Sequence, residues 1–402
     1  RIFGPPGTGK TTKLLNMVDQ ALESGIHPSQ IAFLAFTRKA ANEAKERAAE
    51  RFQLNAETDL YYFRTLHSLA YRLLNIKEKD LMQAKHYKEL GAMIGFQLNQ
   101  VKTADMEDGK SGISEHPILS IINLSRLKKI SLKEQYNKSN IRSTWHEVEY
   151  VATDYKETNH LVDYTDMLAL FVQNYQAICP SFKLCFLDEA QDLSPLQWDI
   201  AHALDEKSEK MYCAGDDDQA IYRWASADVD HFINLPGGSE VLEQSYRIPR
   251  KVHNVAEGIA KRIAHRFPKA YKPKRDIGEV LIISDIRTLD LSEGTWLIMA
   301  QANYMLGPVA ELLKSGGYLF ERNGARSISE KLSTAVNSWE RLRKGAAIYR
   351  SSAKAVYSYM AGNGEKIARG KKTITGDSGD LLTYDKLVED HGLLASRDEP
   401  WF

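Results

Sequence analysis

The chain has 402 residues, a length that corresponds to about two or three domains. Its 53 Lys and Arg residues balance 53 Asp and Glu residues, which argues against a polycationic binder that relies on net charge. Hydrophobic residues make up 43% and charged residues 26%, as in ordinary globular proteins, and no apolar run reaches the ~20 residues needed to span a bilayer. The three cysteines, Cys179, Cys185 and Cys213, form no CxxC pair, which disfavours a disulfide scaffold or a Cys-based zinc site and predicts a reducing, cytoplasmic setting.

A glycine-rich phosphate-binding motif stands at the start of the chain. Residues 1–3 are typical of the end of a buried strand, the motif fits GxxxxGK[ST], and an amphipathic helical pattern follows. Its residues are Gly4, Pro5, Pro6, Gly7, Thr8, Gly9, Lys10, Thr11 and Thr12. Because the chain opens without Met directly before this motif, we expect it to be a fragment of a longer protein.

Short apolar segments alternate with helical patterns through the first part of the chain. Residues 31–36, 184–187 and 211–214 read as buried strands, and residues 39–52 read as an Ala-rich helix. This alternation predicts an α/β fold with a parallel sheet covered by helices. The polar helical patterns of 76–150 predict an inserted helical subdomain.

A second domain is predicted to begin near residue 276. Residues 279–284 and 296–300 read as strands. The predicted organisation is therefore a P-loop domain (1–75 and 151–275), the insertion (76–150), an incomplete second domain (276–345) and a partial insertion subdomain (346–402).

The glycine motif predicts a nucleotide site that uses ATP and Mg²⁺. Backbone N–H groups of such a loop surround phosphate oxygens, and the following helix N-terminus favours negative charge. Lys10 is expected to pair with the β- and γ-phosphates, and the Thr11 hydroxyl to bind Mg²⁺.

Two acids follow the apolar segment 184–187. Asp188 is expected at the carboxyl edge of the sheet, where it can hold Mg²⁺ through water, and Glu189 can polarise the attacking water. The alternative is a helix cap followed by a first-turn acid. In combination with the glycine motif, the pair indicates an NTPase.

A third stretch follows the apolar segment 211–214. Gln219 is expected to reach the γ-phosphate from the same sheet edge, and Tyr222 and Trp224 follow it with Arg223 between them. Aromatic side chains stack on nucleic-acid bases without sequence preference, although core packing is the commoner use of aromatic residues.

Six ordered motifs within residues 1–250 resemble the UvrD/Rep/PcrA group of superfamily 1 DNA helicases. They read GPPGTGKTT, FTRKAA, TLHS, DEAQD, GDDDQAIYRW and LEQSYR. The resemblance implies a RecA-like fold for the P-loop domain and the beginning of a second RecA-like domain after residue 276. It also implies that Tyr246 stacks on adenine and that Arg247 contacts the γ-phosphate.

The resemblance further implies an ATP-dependent motor that translocates 3′→5′ on single-stranded DNA and opens single-strand/duplex junctions. Thr37, Arg38, His67, Tyr222 and Trp224 would lie along the single strand, although a structural role for His67 is also open. Two alternatives remain: the motor subunit of a helicase–nuclease complex, and a DNA-binding ATPase switch without unwinding. Forked-duplex unwinding, compared with single-strand translocation, separates them.

The last part of the chain departs from the family pattern. No segment resembles the later family motifs, including the one that supplies a second arginine finger, so we expect the chain alone to lack full activity. A basic group follows residue 365, where the family has an insertion that touches duplex DNA, but nearby acids favour a solvated charged face. Its members are Lys366, Arg369, Lys371 and Lys372.

Overall fold

A computed structural model describes residues 1–98, 116–152, 154–322 and 324–400. The chain divides into two compact units, Arg1–Ile282 and Ile283–Phe402. Across these described ranges, no helix combines the length and the apolar character needed to cross a membrane.

The first unit is built on a parallel six-stranded sheet, which confirms the predicted α/β fold. The strands are β1 (Ile2–Phe3), β2 (Ile31–Ala35), β3 (Phe63–Thr65), β4 (Phe182–Leu187), β5 (Ser208–Gly215) and β6 (Glu240–Val241). Their order across the sheet is β3-β2-β4-β5-β1-β6, and every neighbouring pair is parallel. Strand β5 therefore lies between β1 and β4. Because the strands are parallel, their carboxyl ends all lie at the same edge of the sheet.

Helices cover both faces of this sheet. They are α1 (Lys10–Glu23), α2 (Arg38–Phe52), α3 (Leu66–Leu73), α9 (Tyr164–Ile178), α10 (Pro195–Glu206), α11 (Val229–Asn234) and α12 (Arg250–Ala260). Several begin at side-chain caps: Thr37 accepts from the Ala40 N–H group, and Ser194 forms a reciprocal capping box with Gln197. These caps satisfy backbone donors that a helix start otherwise leaves unpaired.

The continuous apolar character of β2 follows from burial on both sides. Ala32 and Leu34 belong to one core cluster, whereas Ile31, Phe33 and Ala35 belong to the cluster on the opposite face. All five residues are buried. This arrangement is typical of parallel sheets covered by helices on two faces.

Between β3 and β4 the described residues are mainly helical. The helices are α4 (Ala84–Ile94), α5 (Pro117–Leu127), α6 (Leu132–Asn137), α7 (Trp145–Ala152) and α8 (Asp154–Asn159). They share a core cluster of their own that includes Leu90, Ile118 and Val148. Part of the predicted insertion, residues 99–115, lies outside the described residues.

The second unit contains helices and two antiparallel two-stranded ribbons. Its elements are α13 (Leu306–Ser315), β7 (Glu321–Arg322), β8 (Ala325–Arg326), α14 (Glu330–Arg343), β9 (Ile348–Tyr349), α15 (Arg350–Tyr359), β10 (Leu381–Leu382) and α16 (Tyr384–His391). The strands predicted at 279–284 and 296–300 are wrong, because these residues form no ladder in the described structure. Apolar composition suggested strands there, but a strand needs a hydrogen-bonded neighbour and a covered face, and Ile282, Leu297 and Met299 are exposed.

Candidate functional site: a phosphate-binding loop at the carboxyl edge of the sheet

The glycine loop connects β1 directly to α1. The Gly4 N–H group donates to the Gly215 carbonyl at 3.1 Å, which joins the loop to the end of β5. Gly7 and Gly9 have φ angles of 74° and 84°, in the left-handed region that glycine adopts without steric penalty. The loop therefore turns sharply with its backbone close to the first turn of α1.

A distant segment of the chain holds the outer side of the loop. Ser245 Oγ donates to the Pro6 carbonyl at 2.9 Å, and Tyr271 OH donates to the same carbonyl at 3.0 Å. The Tyr246 N–H group donates to the Gly7 carbonyl at 2.8 Å. A Cβ atom on Gly7 would lie 2.3 Å from Arg247 Cβ, so only glycine fits this contact.

The central contact of the site joins the loop to the end of β4. Thr11 Oγ1 donates to Asp188 Oδ2 at 2.6 Å, across 177 residues of sequence. Asp188 directly follows β4 and is buried, so its predicted position at the sheet edge is confirmed. A hydroxyl and a carboxylate are hard oxygen ligands that fit Mg²⁺, which takes one or two carboxylates and completes its shell with phosphate and water.

Lys10 lies at the same edge with its side chain folded over the loop. Its Nζ atom donates to the Gly4 carbonyl at 2.7 Å. A Cβ atom on Gly4 would lie 2.5 Å from Lys10 Cγ, so the glycine leaves space for the lysine stem. The ammonium group therefore sits within the turn that the glycine motif forms.

Acidic groups at this edge have raised pKa values. Burial raises the pKa of Asp188 to about 6, and the negative charge of neighbouring Glu189 adds to the effect. Burial, again with Glu189, raises the pKa of Asp192 to about 7. The Asp192 Oδ1 atom is buried without a hydrogen-bond partner in the described structure. Binding a cation here would relieve these unfavourable charges.

The backbone at Glu189 excludes the simple capping alternative for the two acids. Glu189 precedes a short 3-10 turn, has φ 55° and ψ 42°, and its side chain makes no capping hydrogen bond. The Asp188 carboxylate instead accepts from Thr11 and from the Glu189 N–H group. A non-glycine residue in this left-handed region is uncommon.

Gln219 is joined to Glu189 by a chain of hydrogen bonds. Gln219 Nε2 donates to Asp216 Oδ2 at 2.6 Å, and the Asp216 N–H group donates to Gln191 Oε1 at 3.0 Å. Gln191 Nε2 then donates to Glu189 Oε2 at 2.9 Å. The motif residues that follow β4 and β5 therefore form one network. Gln191 was not singled out by sequence, although it lies inside the DEAQD motif.

The two predicted nucleotide contacts beyond β6 lie beside the loop. Tyr246 and Arg247 are both exposed, and Tyr246 is 76% exposed. The Ser245 hydroxyl accepts from the N–H groups of Arg247 and Ile248 at 3.3 and 3.1 Å. The turn that these hydrogen bonds form leaves the side chains of Tyr246 and Arg247 accessible. Ser245 was missed by sequence analysis because its bond to Pro6 spans 239 residues.

The predicted DNA-side aromatics differ in their surroundings. Trp224 is 75% exposed, so the core-packing alternative is wrong for this residue. Tyr222 is half-buried, and its ring centroid lies 5.9 Å from that of Phe36. One ring therefore packs on the end of β2, and the other is accessible to a ligand.

The remaining predicted DNA-side residues surround α2 and α3. Thr37 caps α2, which gives it a structural role, whereas Arg38 is exposed and His67 is half-buried. A cavity of about 660 Å³ is lined by Arg38 and His67, and also by Arg64 and Arg72. The structure brings these two predicted residues together at a basic cavity.

Arg64 is a buried cation in this cavity that the sequence analysis missed. Its guanidinium donates to the Tyr61 carbonyl and to Ser68 Oγ, and it lies 4.7 Å from the Tyr61 ring centroid. In the described part of the chain it forms no ion pair, and burial followed by repulsion from Arg72 lowers the pKa of Arg64 to about 10. An anion in the cavity would compensate this charge.

The basic group of the second unit is mostly solvated. Arg369, Lys371 and Lys372 are exposed, while Lys366 pairs with Glu399. This agrees with the charged-face interpretation.

Comparisons with known proteins identify relatives of this sequence. The family described as UvrD/REP helicase N-terminal domain matches residues 1–237. Relatives named ATP-dependent DNA helicase PcrA come from Leuconostoc citreum, Bacillus subtilis and Staphylococcus epidermidis, with identities of 25%, 26% and 26%. The alignments cover 67%, 68% and 67% of this chain. The chain spans only 38%, 39% and 38% of the respective relatives.

The buried carboxylate of Asp188 generates a pH-dependent prediction. Its pKa is about 6 in the folded chain and ~3.9 when unfolded, so ionisation favours unfolding increasingly as pH rises from 4 to 6. Without Mg²⁺ and nucleotide, Asp188→Asn should raise the free energy of unfolding at pH 8 by about 2–3 kcal/mol, and by less at pH 5. Asn can keep both hydrogen bonds, because the Thr11 hydroxyl can accept as well as donate.

Denaturant titrations at both pH values measure this effect. Asp276→Asn is the control, since that carboxylate is 67% exposed and its loss should change stability by less than about 0.5 kcal/mol. A loss of stability in Asp188→Asn at pH 8 would contradict the electrostatic account.

Proposed function

Because the chain belongs to the UvrD/REP helicase N-terminal domain family, we propose that it provides the ATPase core of an ATP-dependent DNA helicase. The protein that carries it would translocate on single-stranded DNA, in the 3′→5′ direction, and separate strands at single-strand/duplex junctions. The contact that carries this proposal is the 2.6 Å hydrogen bond from Thr11 to Asp188, because it joins the phosphate loop to the acid that follows β4.

The nucleotide would bind across the glycine loop, with Mg²⁺ held by Thr11 and Asp188. Bound Mg²⁺ would neutralise charge that develops on the phosphates. Lys10 would leave the Gly4 carbonyl for the β- and γ-phosphates, since an ammonium group binds phosphate more strongly than a neutral carbonyl. These assignments are supported by the oxygen ligands and by the raised pKa of Asp188.

The proposed chemistry beyond the phosphate loop uses four further side chains. Glu189 would accept a proton from the attacking water, and Gln219 would sense the γ-phosphate. Tyr246 would stack on adenine, and Arg247 would stabilise the γ-phosphate charge. The exposure of the latter two and the hydrogen-bond chain between Glu189 and Gln219 support this proposal.

The single strand would cross the ends of β2, β3 and β5. Its bases would stack on Trp224 and Tyr222, and its phosphates would lie near Arg38 and His67. The accessible indole and the basic cavity of about 660 Å³ support this path. Thr37 would contribute through the helix start that it caps.

The proposed organisation places an inserted helical subdomain between β3 and β4. We further propose that residues 276–345 begin a second RecA-like domain, and that residues 346–402 are part of an insertion subdomain. A reducing, cytoplasmic location is consistent with three buried free cysteines.

Glu189→Gln tests the proposed water activation. In the protein carrying this chain, Mg-ATP affinity should stay within about threefold, and turnover should fall by about 10²–10⁴, since the amide cannot accept the proton. The amide oxygen can still accept from Gln191, so local structure should be kept. Single-turnover hydrolysis and nucleotide titration measure the two effects.

Glu209→Gln is the control for this substitution, because that side chain is 62% exposed on β5. Loss of nucleotide affinity in Glu189→Gln, with turnover per bound nucleotide unchanged, would show that Glu189 is structural.

Trp224→Ala tests the proposed DNA path. Removing a base-stacking indole should weaken single-strand binding by roughly 1–3 kcal/mol. Because Trp224 is 75% exposed, the melting temperature should hardly change. Fluorescence anisotropy with a labelled oligothymidine and thermal unfolding provide the two measurements.

Ile221→Ala is the matched control, since Ile221 is 71% exposed in the same loop and has no ring to stack. Equal DNA affinity for Trp224→Ala and the wild type would refute the stacking role.

A further inference from the structure

Three consecutive acids, Asp216, Asp217 and Asp218, follow β5 and immediately precede Gln219. We infer that Lys269 is a positioning residue for ATP hydrolysis, which holds these acids so that Asp216 fixes the side chain of Gln219. This inference rests on the proposed function, because it assumes that Gln219 takes part in hydrolysis.

Lys269 is buried among all three carboxylates. Its Nζ atom lies 3.2 Å from Asp216 Oδ1 and 2.9 Å from Asp218 Oδ2, and it also donates to Asp217. The side chains of Lys269, Asp216 and Asp217 are 0% exposed. Burial alone lowers the pKa of Lys269, but the carboxylates outweigh it and raise the pKa overall, so the ammonium stays charged.

Two further residues contact the acidic turn that Asp216, Asp217 and Asp218 form. Arg266 Nε donates to Asp218 Oδ1 at 2.9 Å, and its Nη2 atom donates to the other oxygen of the same carboxylate. The Phe267 N–H group donates to Asp217 Oδ2 at 2.7 Å. Each acid therefore has a specific partner, and removing the shared cation would leave adjacent buried carboxylates to repel one another.

The turn is also tied to the strand that begins the phosphate loop. The ring of Phe267 stacks on Phe3 of β1, with centroids 3.9 Å apart and an interplanar angle of 2°. Lys269 follows Phe267 by two residues, so its position is tied to that of β1. The acidic turn and the glycine loop are therefore both connected to β1.

The Asp216 carboxylate connects Lys269 with Gln219. While one oxygen faces Lys269, its Oδ2 atom accepts from Gln219 Nε2 at 2.6 Å. The Asp216 N–H group donates to Gln191, which contacts Glu189. Without Lys269, Asp216 would lose its orientation, and Gln219 would lose the partner that fixes its amide group.

A mutant cycle separates positioning from simple stabilisation. All variants carry Asp217→Asn, so that the variant that also carries Lys269→Met has the same net cluster charge as the wild type and can fold. In this background, Lys269→Met should lower kcat about 10–100-fold with KM for ATP within about threefold. In the Gln219→Ala background, the same Lys269→Met change should lower kcat by less than about twofold, since the bond from Gln219 to the Asp216 carboxylate is gone. The bond from Asp216 to Gln191 comes from the backbone N–H group and does not depend on that carboxylate.

Lys269→Arg is the conservative variant and should restore at least half of the kcat lost in Lys269→Met. Thermal unfolding of every variant is measured alongside turnover. A Lys269→Met effect on kcat that is equally large in the Gln219→Ala background would overturn the positioning role while leaving the proposed function intact. If Gln219→Ala itself left turnover unchanged, both this inference and the proposed role of Gln219 would fall.

Discussion

Negative charge crowds the carboxyl edge of the parallel sheet, and the candidate site depends on how that charge is balanced. Burial raises the pKa of Asp188, Asp192 and Asp216, while Lys10 lowers the pKa of all three. Isolated buried carboxylates are unfavourable unless they are paired or bind a cation. A site with a single loop lysine and several acids is therefore suited to Mg²⁺ with a polyphosphate, which together bring both the cation and a partner for Lys10.

The order of the strands explains why these groups meet. Strand β5 lies between β1 and β4, so the phosphate loop and Asp188 approach each other across the end of β5. Gly215 ends that strand, and a Cβ atom there would lie 2.5 Å from Gln191 Oε1. The absence of a side chain at Gly215 thus leaves room for the amide that connects Asp216 with Glu189. The space left at Gly215 and the charges of the neighbouring acids therefore both affect the hydrogen-bond network between Gln219 and Glu189.

The sequence predicted the parts of the site that are local in the chain. The glycine loop, Asp188 and Glu189 follow apolar strands directly, so motif and strand pattern together located them. Strands β3 and β6 have three and two residues, too few for a periodic pattern, and they were not predicted. The apolar segments 279–284 and 296–300 were wrongly predicted as strands, because composition does not show whether a pairing neighbour exists.

The contacts that the sequence could not predict join distant residues. Ser245 with Pro6, and Lys269 with the acids after β5, depend on how the fold brings the segment after β6 beside the loop. Arg64 was missed for a different reason, since a single cation in a three-residue strand gives no motif. The sequence also could not predict the environment of Trp224. Its aromatic side chain was compatible with either core packing or a surface position, and only its exposure in the structure decided between them.

The most direct test of this account is the affinity of Mg-ATP for Lys10→Ala, measured by titration calorimetry beside the wild type and Lys13→Ala. Lys13 lies in the same first turn of α1, but its side chain is 40% exposed and pairs with Glu240 instead of contacting the loop. We expect Lys10→Ala to weaken binding about 10–100-fold, the effect of losing one charged hydrogen bond, and Lys13→Ala to bind as the wild type does. Equal affinities for Lys10→Ala and the wild type, or equal losses in both variants, would contradict the assignment of the loop as the nucleotide site.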